Sequence, residues 1–121
     1  MNKLVKRVED KDLTREFLSA LNGVLQLTGK QLEILEILIE LQPTLKPING
    51  DMESIIGSRI RKLVTEKTGI TADNLSRHLM SFKRKGLLIP TKIQDIWQLN
   101  PAVMPELIND RVQITIILKT K

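Results

Sequence analysis

Residues 65–86 read TEKTGITADNLSRHLMSFKRKG, and this stretch has the layout of a helix, a tight turn and a second helix. Gly69 stands where a C-terminal helix cap is wanted, because only glycine enters the left-handed conformation freely. Thr71 stands where an N-cap is wanted, its hydroxyl able to accept a backbone N–H of the next turn. From there Leu75, Leu79 and Phe82 recur at spacings of four and three, which puts them on one helix face. Gly86 closes the helix, with Lys83, Arg84 and Lys85 in the last turn, where cations suit the helix dipole. Stepping about 100° per residue from Leu75 as the core direction, Asp73, Asn74, Arg77, Ser81 and Arg84 point away from the core. A helix that buries a Leu/Phe stripe and offers Asn, Arg and Ser outward meets the requirements of a major-groove reader. The plainer reading of the same face is a solvated charged surface, which most amphipathic helices have.

The flanking sequence extends the pattern on both sides. Met1–Asp10 reads as a loosely ordered arm, followed by a short helix from Asp12 to about Asn22 that carries Leu13, Phe17, Leu18 and Leu21. Asn22-Gly23 is a turn signal, after which Val24, Leu25 and Leu27 read as a short extended piece. Thr28 and Gln31 fit a capping box. The helix behind it, Lys30 to about Leu41, is apolar around most of its circumference and is expected to be the central buried helix, ended by Pro43. Gln42–Asp51, with Pro43, Pro47 and Asn49-Gly50, reads as a loop. Met52, Ile55 and Ile56 suggest a short helix or a lead-in to the next helix, whose stripe is Ile60, Leu63 and Val64. After the 65–86 stretch, Leu87–Ile89 and Ile96–Leu99 read as paired strands around a turn at Pro90–Asp95. Asn100-Pro101 stops the second strand, Pro101–Asn109 is expected to hold a short helix, and Arg111–Lys119 is expected to be a strand. Ile116, Ile117 and Leu118 are consecutive, so that strand is expected to pair, either with the preceding hairpin or with another subunit.

Composition narrows the function classes. The 121 residues are 41% apolar with few aromatics, enough for one domain with an aliphatic core. The net charge of +5 is unevenly placed: residues 59–92 hold nine Lys/Arg against Glu66 and Asp73, a local +7, which leaves −2 for the remainder. A basic excess on the helix–turn–helix stretch suits nucleic acid. The chain has no cysteine and one histidine, His78, which removes thiolate zinc sites and multi-histidine metal centres. Asp51 and Glu53 have no second acidic cluster to work with, and no phosphate loop or nucleophile motif is present. An enzyme, a metal or a cofactor is therefore not expected. No apolar run approaches the roughly 20 residues of a membrane span, and Met1–Asp10 lacks a signal-peptide core. The expectation is a soluble cytoplasmic protein.

Three helices followed by a hairpin after a basic-Gly-hydrophobic step is the winged helix-turn-helix order. The stretch GITADNLSRHLMSFKRKGLLI, residues 69–89, resembles the helix-turn-helix and first wing strand of bacterial winged-helix regulators of the MarR-like group. The resemblance runs from Thr28 to Leu99. The run Ile96-Trp97-Gln98-Leu99-Asn100-Pro101 also resembles the wing of RepL-type plasmid replication initiators. The resemblance implies a mainly α fold with a small β-hairpin wing, here with an extra C-terminal strand. It divides the chain into an arm and short helix at 1–27, the winged domain at 28–100 and an extension at 101–121. It implies that Thr71, Ala72, Asn74, Arg77, His78 and Ser81 face the major groove of double-stranded DNA and that Lys92 marks the wing tip. Lys83, Arg84 and Lys85 are candidates for phosphate contact. The expected function is a sequence-specific transcription regulator or replication initiator. It would work as a homodimer through the C-terminal strand. The alternative is a winged-helix docking module within a larger assembly or on a polymerase. The turn with one Lys and with Asp95 opposing it, together with the long loop before the second helix, departs from the pattern.

Overall fold

A computed structural model describes residues 4–48 and 50–120. Among the described residues the chain is mainly helical, with four α-helices and two small antiparallel hairpins: α1 (Leu13–Leu25), α2 (Gly29–Leu41), β1 (Pro47–Ile48), β2 (Asp51–Met52), α3 (Ser58–Thr68), α4 (Ala72–Arg84), β3 (Leu88–Pro90) and β4 (Trp97–Leu99). No helix among them is long and apolar enough to cross a membrane. The expected N-terminal arm falls partly on Met1–Lys3, outside the described residues.

α2 is the centre, as its all-round apolar sequence predicts. Ile34, Leu35, Leu38 and Ile39 are buried on it, and burying each such side chain is worth about 1.5–3 kcal/mol. Its start carries the expected capping box, with the Gln31 N–H donating to the Thr28 hydroxyl and the Thr28 N–H donating back to Gln31 Oε1, both at 3.2 Å. Around it, Phe17 and Leu18 of α1, Ile60 and Val64 of α3, and Leu75, Leu79 and Phe82 of α4 join one core with Leu87, Leu88, Leu99 and Val103.

The first correction concerns α1. It runs straight through Asn22-Gly23 to Leu25, so there is no turn at 22–23 and no extended piece at 24–25. The turn comes four residues later, where Gln26 takes φ 56° and its N–H donates to Asn22 O. The Asn22 side chain serves that later turn: its Oδ1 accepts the Leu27 N–H at 2.8 Å and its Nδ2 donates to Leu27 O at 3.2 Å. The cost of a mid-helix glycine, about 1 kcal/mol, is offset because continuing the helix brings Leu25 as well as Leu21 against the core.

The loop before α3 is also more ordered than its prolines suggest. β1 and β2 pair across it, and the Glu53 N–H adds a further bond to Lys46 O at 2.8 Å. Met52 lies in β2, and Ile55 and Ile56 form a buried lead-in to α3, the second of the two expected alternatives. Part of the Asn49-Gly50 signal, Asn49, lies outside the described residues.

Two further expectations fail beyond β4. Pro101–Asn109 is not a helix; a single 3-10 turn spans Pro101–Val103, and Met104 leaves it in an extended conformation (φ −105°, ψ 125°). Met104 precedes Pro105, and a residue before proline is pushed out of the α region by the ring. Arg111–Lys119 is not a strand either. Arg111 makes an isolated bridge to Ile108, and 112–120 join no ladder among the described residues. A β-prone sequence becomes a strand only when a neighbour takes its backbone groups, and no sheet among the described residues offers 112–120 one.

Candidate functional site

The local geometry of α3 and α4 follows the sequence closely. Gly69 ends α3 at φ 75°, its N–H donating to Thr65 O, and a side chain there would be strained by conformation rather than by crowding. Thr71 caps α4, its hydroxyl accepting the Asn74 N–H at 3.2 Å. Leu75, Leu79 and Phe82 are buried. Asp73, Asn74, Arg77 and Arg84 are exposed, as are Thr71 and Ala72, while His78 and Ser81 are half-buried. Gly86, at φ 77°, lets the chain leave α4 and enter β3.

The hairpin is fixed to the rest by backbone and side-chain bonds. β3 and β4 pair in the register Leu88–Leu99, Ile89–Gln98, Pro90–Trp97. The outer edge of β4 is taken by the lead-in to α3: the Ile55 N–H donates to Trp97 O at 3.0 Å, and the Trp97 N–H donates to Ser54 Oγ at 3.0 Å. Ser54 is therefore a latch between the start of α3 and the hairpin. Its buried hydroxyl also accepts the Ile56 N–H. At the other end Asn100 Nδ2 donates to Gly86 O at 2.9 Å, closing the hairpin onto the end of α4. Lys92 is exposed in the turn between the strands, and Asp95 in the same turn takes φ 65°.

The basic residues divide into three groups. Arg59 is the one cation of residues 59–92 that makes an ion pair among the described residues, with buried Glu53. Its guanidinium also donates to Thr44 O at 3.0 Å. This hydrogen-bonded guanidinium, with help from the Lys46 N–H, holds the Glu53 carboxyl below its ordinary range against the opposing effect of burial. A second group is committed to the protein's own backbone or rings. The Lys83 ammonium lies 4.3 Å from the centroid of the Trp97 ring. Lys85 Nζ donates to Leu25 O and Gln26 O, both at 3.0 Å, and so caps the carbonyl end of α1. Arg61 donates to Ile56 O at 2.7 Å and to Ser76 Oγ at 3.1 Å, tying α3 to α4. The third group is Lys62, Lys67, Arg77, Arg84 and Lys92, which make no ion pair and no side-chain hydrogen bond among the described residues.

Of the ten candidate residues, α4 thus brings Asn74, Arg77 and Arg84 to one solvent-facing side. Lys83 and Lys85 are drawn away from it into structural contacts. Met80 went unnoticed in the sequence. It is 53% exposed, and the same 100° stepping places it about 140° from Leu75, beside Arg77 and Arg84 on the outer face. Its apolar character hid it from a search for polar side chains.

The chain matches no protein-family model, no curated protein and no solved structure.

Proposed function

We propose that the chain is a winged helix-turn-helix protein that binds double-stranded DNA, with α4 in the major groove and the β3–β4 hairpin as the wing. The observation that carries this reading is the division of α4. Its Leu75, Leu79 and Phe82 are buried while Arg77, Arg84 and Asn74 face solvent, and the two arginines have no carboxylate partner among the described residues. Elsewhere some exposed cations are paired, Lys6 with Glu16, Arg15 with Glu36 and Lys30 with Glu33. A cluster of unpaired cations on one side raises the local potential and attracts a polyanion. The bond from the Ile55 N–H to Trp97 O supports the winged order further, because it fixes the hairpin to the lead-in to α3.

In this reading Arg77 forks onto a guanine, Asn74 reads an adenine, and Met80 lies against a thymine methyl. Lys92 and Arg84 meet phosphates. The protein acts as a transcription regulator or a replication initiator. Selection of binding sites from random duplex DNA tests it: the wild type should return a defined consensus, and Arg77→Ala should return one with a position flattened.

A second reading is a docking module for an acidic protein partner. Exposed Met80 beside Arg77 and Arg84 favours it, as does the commitment of Lys83 and Lys85 to internal contacts. Sequence-independent absence of DNA binding would favour this reading over the first.

A further inference from the structure

Residues 111–119 read RVQITIILK. The chain reverses just before them at Asn109 and Asp110, both with positive φ (53° and 60°), and Ile108 and Arg111 close that turn with reciprocal backbone bonds. Drawn out as a strand, in which alternate side chains share a face, the segment would set Val112, Ile114, Ile116 and Leu118 in one apolar row. Val112 packs against the core. Together with Gln113, Ile114 and Thr115 of the same segment, and with Phe17, Leu21 and Met104, it borders an open groove of about 500 Å³. Beyond the groove Ile116, Ile117 and Leu118 stand 49%, 73% and 88% exposed. Among the described residues the segment therefore has backbone groups that join no ladder, and exposed apolar side chains beside an open groove. Such an edge invites pairing with another strand.

We infer that residues 112–118 form the interface of a homodimer, pairing antiparallel with the same segment of a second copy and crossing it at Thr115. The apolar row is complementary to itself, and the alternation selects the register. Only registers that oppose even positions with even positions keep the apolar row whole, since a slip of one residue moves every side chain to the other face. Crossing at Thr115 sets Val112 against Leu118 and Ile114 against Ile116, so each apolar side chain of the row meets another. Crossing at Ile114 sets Leu118 against Asp110, and crossing at Ile116 sets Val112 against Thr120. On the opposite face Thr115 meets Thr115 and Gln113 meets Ile117, with Arg111 and Lys119 at the solvent ends of the ribbon. The row of the paired strand extends over the groove bordered by Phe17, Leu21 and Met104, which buries it on both copies. The contact is two-fold and self-closing, so it ends at a dimer.

This interface does not rest on DNA binding, and its test needs no DNA. Light scattering on the full chain should give twice the 13.8 kDa chain mass. The double variant Ile116→Lys/Leu118→Lys should give the mass of one chain, with the helical circular dichroism signal retained because neither side chain packs in the chain's own core. The protein has no cysteine, so Thr115→Cys introduces a single thiol. Opposed residues of an antiparallel pair lie within disulfide reach, and mild oxidation should link this variant into a covalent dimer, whereas Glu40→Cys on α2 should stay unlinked. A wild type that runs as one chain at tens of micromolar overturns the interface. So does a double variant that stays dimeric, or a Thr115→Cys variant that links no more than Glu40→Cys.

Discussion

The ammonium of Lys83 sits over the ring of Trp97, 4.3 Å from its centroid, joining the last turn of α4 to the first residue of β4. Two residues further on, Lys85 bonds the carbonyls of Leu25 and Gln26 at the end of α1. Both lysines therefore position α4 rather than reach outward from it. Lys83→Gln and Lys85→Gln should lower the urea midpoint of unfolding while leaving the salt slope of DNA binding unchanged. Lys92→Gln and Arg84→Gln should do the reverse, leaving the midpoint in place and reducing the slope by about one unit each. Paired urea melts and titrations at several salt concentrations separate the two sets.

The fold prediction rests on α4. Leu79 is 2% exposed in the shared core, whereas Ser76, three residues earlier, is exposed. Leu79→Ala should cost about 2–5 kcal/mol, the range for truncating a buried leucine. Ser76→Ala removes only the hydroxyl that accepts from Arg61 and should cost far less. Equal losses at the two positions would contradict the packing described for α4.

Glu53 makes stability depend on pH. Its folded-state pKa is lowered by the Arg59 hydrogen bonds, so its contribution is present above the ordinary carboxylate pKa and is lost as pH falls through the lowered value. Glu53→Gln should therefore be less stable than wild type at neutral pH. The difference should shrink as the solution is acidified below the ordinary carboxylate range. A gap between the two proteins that stays constant on acidification would show that the carboxylate charge plays no part.

The elements that the sequence revealed are those whose signals are local. Gly69, Thr71 and Gly86 each act within one turn, and the Leu75–Leu79–Phe82 stripe needs only helical periodicity. Thr28 and Gln31 are three residues apart. What stayed hidden depends on partners far along the chain. Ser54 and Trp97 are 43 residues apart, and Lys85 and Leu25 are 60 apart; nothing within either neighbourhood announces the bond. The misplaced turn at Asn22-Gly23 has the same origin, since the packing of Leu25 on the core overrides a local signal. At 111–119 the β-propensity is real but no sheet among the described residues receives it. In the candidate site, the outward direction of Arg77 and Arg84 was legible, whereas the diversion of Lys83 and Lys85 was not.

Met80 gives a prediction about specificity. If its side chain lies against a thymine methyl, replacing the thymines of the selected site one at a time with deoxyuridine should weaken wild-type binding at one position. A methyl-sized apolar contact of about 0.8 kcal/mol corresponds to roughly a fourfold loss. Met80→Ala should bind the thymine and deoxyuridine sites alike. Identical affinities of the wild-type protein for every deoxyuridine site would remove Met80 from the reading face.

The central claim is that Arg77 and Arg84 of α4, with Lys92 of the β3–β4 turn, bind duplex DNA. Titration of the wild-type chain against a random duplex at two or more salt concentrations tests it most directly. Two to four phosphate contacts per chain predict that log K falls linearly with log salt, with a slope of about −2 to −4. Arg77→Ala/Arg84→Ala/Lys92→Ala should abolish that binding without unfolding the protein. A wild type with no salt-sensitive affinity for any duplex near physiological ionic strength would contradict the claim and assign the same residues to an acidic protein partner.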